Sequence, residues 1–125
     1  MPKGILLVST APAGAERDQE YNDWYTNRHL ADVVTVPGFV SAQRFKLADP
    51  MGFPHDHRYL AIYEVESDDP KAVMDEMMRR SGTPAMVLSE ALDLEGATIG
   101  LYEECSPVLE ADAAASMTSG RSQVA

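Results

Sequence analysis

The spacing of apolar and polar positions changes period several times along the chain, and each change marks an element. Residues 5–9, Ile5-Leu6-Leu7-Val8-Ser9, form a short apolar run of strand character, closed by Thr10-Ala11-Pro12-Ala13-Gly14. From Ala15 to Val34 the pattern is helical. Glu16, Asp18 and Glu20 sit near its start, where the positive end of the helix dipole favours acidic groups. Pro37-Gly38 stops the helix. Residues 39–47 then alternate, with Phe39, Ser41, Gln43, Phe45 and Leu47 on one face and Val40, Ala42, Arg44 and Lys46 on the other. A turn-rich loop covers 48–57. Residues 58–66 are the clearest strand, with Tyr59, Ala61, Tyr63 and Val65 facing one way and Leu60 and Ile62 the other.

Ser67-Asp68-Asp69-Pro70 is a helix start, with a capping side chain and proline in the first turn. The helix it opens reaches Arg80, and Val73, Met74, Met77 and Met78 form its apolar stripe. Ser81-Gly82-Thr83-Pro84 ends it, a second helical piece is expected over 85–91, and residues 97–105 alternate as a last strand. The order β-α-β-β-α-β is the split βαβ, or ferredoxin-like, arrangement: an α+β fold with four antiparallel strands and both helices on one face. Residues 1–107 form this domain. Residues 108–125, poor in large apolar side chains, are expected to be a loose C-terminal tail. Apolar residues on both sides of the 58–66 strand call for a cover over the second sheet face. A homodimer supplies one.

The first helix has an unusual inner face. At about 100° per residue, Tyr21, Tyr25, Arg28, His29 and Asp32 share one side, with Trp24 on its shoulder. A helix serving only a core would carry Leu, Val or Ala there, so this face reads as a pocket wall.

Composition narrows the classes. The 125 residues suit one domain, and 45% hydrophobic content is that of an ordinary globular protein. Twenty acidic residues against ten basic ones, with a pI near 4.5, exclude a phosphate-backbone footprint and hence a nucleic-acid partner. No apolar run has the length of a signal peptide or a membrane span, and Cys105 is the only cysteine. A cytoplasmic protein with no membrane partner is expected.

Trp24-Tyr25-Thr26-Asn27-Arg28-His29-Leu30, followed by Val36-Pro37-Gly38-Phe39 and a strand ending Arg44-Phe45, resembles the dimeric α+β barrel superfamily, and most of all its EthD-like branch. The resemblance covers residues 3–105. It implies a homodimer whose sheets pack face to face, each subunit holding a cavity between sheet and helices, with the helix histidine, His29 here, facing that cavity. Relatives of this kind include cyclases, isomerases, cofactor-free monooxygenases and haem-handling enzymes, so the reaction is not specified by the fold.

His29 is the leading catalytic candidate, because imidazole moves protons near neutral pH; a tether for the helix end is its plain alternative. Tyr25 is the second catalytic candidate and Tyr21 a substrate-binding one, as hydroxyl donors to a substrate oxygen or as packing rings. Trp24 either anchors the helix or forms a platform. Arg28 and Asp32, one turn apart, either pair on the surface or hold a substrate and tune His29. Arg44 and Tyr59 complete the substrate-binding candidates. His55-Asp56-His57 lacks a third ligand at a recognisable spacing, so no metal site is expected. No phosphate loop, nucleophile elbow or dinucleotide fingerprint is present; the helix face and the family resemblance together favour chemistry without a cofactor. The favoured reading is proton transfer on an apolar aromatic or polyketide-like small molecule, as a cyclase, dehydratase or isomerase. A cofactor-free monooxygenase and a non-catalytic binding protein are its rivals.

Overall fold

The computed structural model describes residues 2–119. Its sheet contains β1 (Lys3–Thr10), β2 (Phe39–Lys46), β3 (Tyr59–Glu66) and β4 (Thr98–Glu103), in the order β2-β3-β1-β4. Every pairing is antiparallel, so the ferredoxin-like topology read from the element order is the one observed.

Alternation decides which face is covered. Leu6, Val8 and Thr10 of β1 and Tyr59, Ala61, Tyr63 and Val65 of β3 are buried against the helices. Across the same sheet Ile5, Leu7, Leu60 and Ile62 are half-buried, while Phe45 and Tyr102 are 44% and 56% exposed. Strand β2 departs from the simple alternation. A β-bulge between Phe39 and Ser41 lets both Phe39 and Ala42 face the helices, opposite Val65 and Tyr63 respectively. Phe39 therefore joins the core, its ring 5.9 Å from that of Tyr63, instead of sharing a face with Gln43 and Phe45.

The first helical segment opens with a 3-10 turn (Ala15–Arg17) and continues as α1 (Asp18–Trp24), a π-turn (Tyr25–His29) and α2 (Leu30–Val34). Helix α3 (Pro70–Arg80) begins as expected: the Asp69 carboxylate accepts from the Ala72 N–H at 3.1 Å, and Pro70 needs no partner for a missing N–H. Gly38, at φ +105°, makes the turn into β2 where a Cβ would collide with the Val73 side chain of α3.

One expectation changes. Residues 85–91 are not helical: 81–97 runs as turns and isolated bridges, Ser81 to Met86 and Pro12 to Leu92. Backbone bonds to β1's exit, Ala13 N–H to Ala91 O at 2.6 Å and Asp93 N–H to Ala11 O at 3.1 Å, tether this loop. In the C-terminal segment Ala111–Ser119 forms a helix, α4, with no buried residue. Residues 120–125 lie outside the described residues.

Candidate active site

The inner face of the first helix depends on the π-turn. In an α-helix a step of four residues advances by about 40°, so Tyr21, Tyr25, His29 and Val33 would spiral off the sheet. A turn with i→i+5 bonds takes more residues per revolution and cancels part of that drift. Placed over Tyr25–His29, it keeps all four on the sheet side; Tyr21, Tyr25 and Val33 are buried and His29 is half-buried. The same adjustment turns Arg28 and Asp32 outward. Their side chains pair at 3.4 Å on the surface, with Arg28 52% exposed. They do not line the cavity, and an exposed i, i+4 pair contributes little to stability.

Between this helix, β1, β3, β4, α3 and the 81–97 loop lies a cavity of about 120 Å³. Its wall is mainly apolar, with Leu6, Val8, Val33, Met77, Met86 and Leu88 prominent, and polar groups come from Thr10, Tyr25, His29, Tyr63 and Ser81. Met78, Leu94 and Ile99, all at least half exposed, lie at its solvent side. Met77 and Met86 are side chains that adapt to varied shapes.

His29 is held between two rings. It stacks on Trp24 at 4.6 Å and 27°, and meets Tyr25 edge-on at 5.0 Å and 87°. Its Nδ1 is buried without a hydrogen-bond partner among the described residues. Either tautomer leaves that nitrogen with an unmet need, and such a group costs about 1–3 kcal/mol unless a partner arrives. Burial lowers its pKa from 6.5 to about 4, against a smaller upward pull from Asp32, so the imidazole is neutral at pH 7.

Tyr25 is 2% exposed, and burial pushes its pKa up to about 12. The Tyr63 hydroxyl donates to the Tyr25 hydroxyl at 3.3 Å, and burial also raises Tyr63. Tyr21 turns instead to the Thr10 hydroxyl.

Of the eight candidates from the sequence, His29 and Tyr25 line the cavity and six do not. Tyr21 lies behind Tyr25 in the core, rings 5.6 Å apart. Trp24 backs the imidazole and donates its Nε1–H to Val87 O at 3.1 Å, tying the helix to the loop. Arg44 reaches the other flank of the helix, where its guanidinium lies over the rings of Tyr25, Tyr59 and Tyr21 at 4.6, 5.3 and 5.4 Å. It donates to Thr26 Oγ1 and Asn22 Oδ1, both at 2.8 Å. Tyr59 donates to Asp18 Oδ1 at 2.8 Å in the same polar cluster. Thr10, Ser81 and the loop residues Leu88, Leu92 and Leu94 were not singled out from the sequence as site elements. Tyr63's place on the inward face of β3 was a usable signal; the loop's Met86, Leu88, Leu92 and Leu94, without a helical or strand period, were another.

Among the described residues no three His, Cys, Asp or Glu side chains gather as metal ligands, and no helix is long and apolar enough to cross a membrane. His57 is engaged elsewhere, its Nε2 on the Gly96 carbonyl, which links the β2–β3 loop to the approach to β4.

The ferredoxin-like α+β fold is shared with solved structures of low sequence identity. A mutant of SnoaB, a cofactor-independent oxygenase from Streptomyces nogalater, superposes with a TM-score of 0.60 at 20% identity, over 86% of this chain and 98% of that one. A proposed monooxygenase from Shewanella loihica PV-4 gives 0.52 at 16% identity, over 86% and 99%. In sequence, Core atranone cluster (CAC) protein 1 of Stachybotrys chlorohalonatus is 38% identical over 64 residues, 50% of this chain. The match spans 26% of that curated relative's length. No protein-family model matches the chain. The likeness to the solved structures is one of fold.

Proposed function

We propose that the protein is a small-molecule enzyme that moves a proton in an apolar cavity, with His29 as the acceptor and later the donor. The observation that carries this reading is the unpartnered, buried Nδ1 of a neutral imidazole in the cavity wall. A substrate with an acidic C–H beside a carbonyl, or a phenolic O–H, would satisfy that nitrogen. As the proton leaves, charge gathers on the substrate oxygen, and the Tyr25 O–H is placed to donate to it. The enolate then closes onto an electrophilic carbon of the same molecule, loses hydroxide as water after protonation, or takes the proton back at another carbon. These are cyclisation, dehydration and isomerisation. The apolar wall favours an aromatic or polyketide-like substrate.

A second reading has its own support: the fold is shared with a cofactor-independent oxygenase. There the same deprotonation would precede attack on dioxygen. Both readings use a homodimer, which we infer from the half-buried Ile5, Leu7, Leu60 and Ile62 on the uncovered sheet face. The acidic surface leaves nucleic acid outside the partners proposed.

The test is His29→Gln assayed against polycyclic phenols and aryl β-diketones, reading solvent-deuterium incorporation, product mass and oxygen uptake. Turnover should fall by roughly 10²- to 10⁴-fold, the usual contribution of a general acid or base. Unchanged turnover in the folded variant sinks the assignment. Oxygen consumed in step with product selects the oxygenase reading, and ligand bound without any product points to a binding protein.

A further inference from the structure

We propose that Tyr63 is a positioning residue for an oxyanion site: by donating its hydroxyl hydrogen to Tyr25, it directs the Tyr25 hydrogen into the cavity, toward the oxygen of an enolate or phenolate. The inference rests on the proton-transfer reading above for its place in catalysis, and on geometry for its existence.

A phenol hydroxyl has one hydrogen to give and lone pairs to receive. Tyr63 spends its hydrogen on the Tyr25 oxygen at 3.3 Å. Tyr25 donates no hydrogen bond among the described residues, although the side chain is only 2% exposed; the one other hydroxyl beside it, Thr10 of the cavity wall, is engaged by Tyr21. Both phenols line the cavity that His29 lines, and the Tyr25 and His29 rings are 5.0 Å apart. An acceptor bound there therefore meets a free O–H and the imidazole together. Donation from Tyr63 also polarises the Tyr25 O–H, since hydrogen bonds in series strengthen one another in a low-dielectric site. Arg44 acts in the same sense from behind, its guanidinium carbon 4.6 Å from the Tyr25 ring centroid. The Tyr63 and Arg44 interactions with Tyr25 both favour its ionised form, while burial keeps the phenol protonated at neutral pH. The result is a neutral donor strengthened for an anionic acceptor. A pair of rings serving only the core would need neither hydroxyl, and phenylalanine would fill the same space without desolvating one.

The ligand class is an oxygen anion conjugated to an apolar ring or chain. The probe is 4-nitrophenolate, with 4-nitrotoluene as a neutral analogue of the same shape, both titrated into the full chain with the probe ionised. Wild type should bind the phenolate in preference to the toluene. Tyr25→Phe should weaken phenolate binding by roughly 10- to 100-fold, as expected for one hydrogen bond to a charged group. Tyr63→Phe should weaken it by about 5- to 10-fold, leave 4-nitrotoluene unchanged, and add nothing in the Tyr25→Phe background. Tyr63→Met supplies the same reading if Tyr63→Phe does not fold. Equal losses for both probes, no loss for either, or a wild type without preference for the anion overturns the proposal. The readout is independent of turnover. If His29→Gln leaves activity intact while the phenolate preference survives, the proton-transfer reading fails and the oxyanion site stands.

Discussion

Replacing His29 by leucine should change how the stability of this protein depends on pH, in a direction and by an amount that follow from burial. The imidazole pKa is lowered from 6.5 to about 4, chiefly by desolvation, with Asp32 opposing. Between these values the unfolded chain carries a proton at this site that the folded chain does not. Stability therefore rises with pH across the window, and the contribution is lost as pH falls below 6.5. Each unit of displacement is worth 1.36 kcal/mol, so by pH 4 the loss reaches about 3 kcal/mol, a large part of a small domain's stability. Leucine has no proton to bind and suits the Leu6, Val8 and Val33 surroundings. The assay is urea unfolding followed by circular dichroism at a series of pH values for both proteins. The rest of the chain is common to the two, so the difference in unfolding free energy reports the His29 site, its coupling to Asp32 included. That difference should move by about 3 kcal/mol in favour of the variant between neutral pH and pH 4. Parallel curves would refute the reasoning, because they would mean that His29 is solvated in the folded state.

Gly38→Ala should destabilise the fold by about 2 kcal/mol, because φ +105° is strained for alanine and the new Cβ meets Val73; thermal unfolding measures it, and a neutral effect would contradict this packing. Trp24→Phe removes the Nε1–H bond to Val87 O at 3.1 Å and should loosen the 81–97 loop. Amide exchange should accelerate across 85–92 and stay unchanged in β3, whereas equal rates would show that Trp24 does not anchor the loop. Ile62→Asp, on the uncovered sheet face, should shift a dimer to monomer in sedimentation velocity without lowering helix content; a wild type that sediments as a monomer at all concentrations would remove the case for a second copy.

Much of the architecture was legible in local pattern. The alternation of Tyr59, Ala61, Tyr63 and Val65, the Asp69-Pro70 helix start and the Pro37-Gly38 stop each act within a few residues, and each appears where the pattern put it. The 85–91 segment did not follow: Ala91 and, just beyond it, Asp93 make long-range backbone bonds to Ala13 and Ala11, which no local period encodes.

The site divides along the same line. The sequence by itself determined that a histidine, two tyrosines and a tryptophan share one stretch of helix, and that this helix has a sheet to face. Only the tertiary structure decided which of them meet the cavity. The π-turn at Tyr25–His29 corrects the helical drift, keeping Tyr25 and His29 inward and leaving Arg28 and Asp32 off the cavity. The β2 register carries Arg44 to the far flank of the helix, over three tyrosine rings. Tyr63 comes from a strand 38 positions away from Tyr25, yet their hydroxyls touch. Side-chain periodicity reports the direction a residue points; what it points at depends on segments distant in the chain, and that is settled only when sheet, helix and loop pack together.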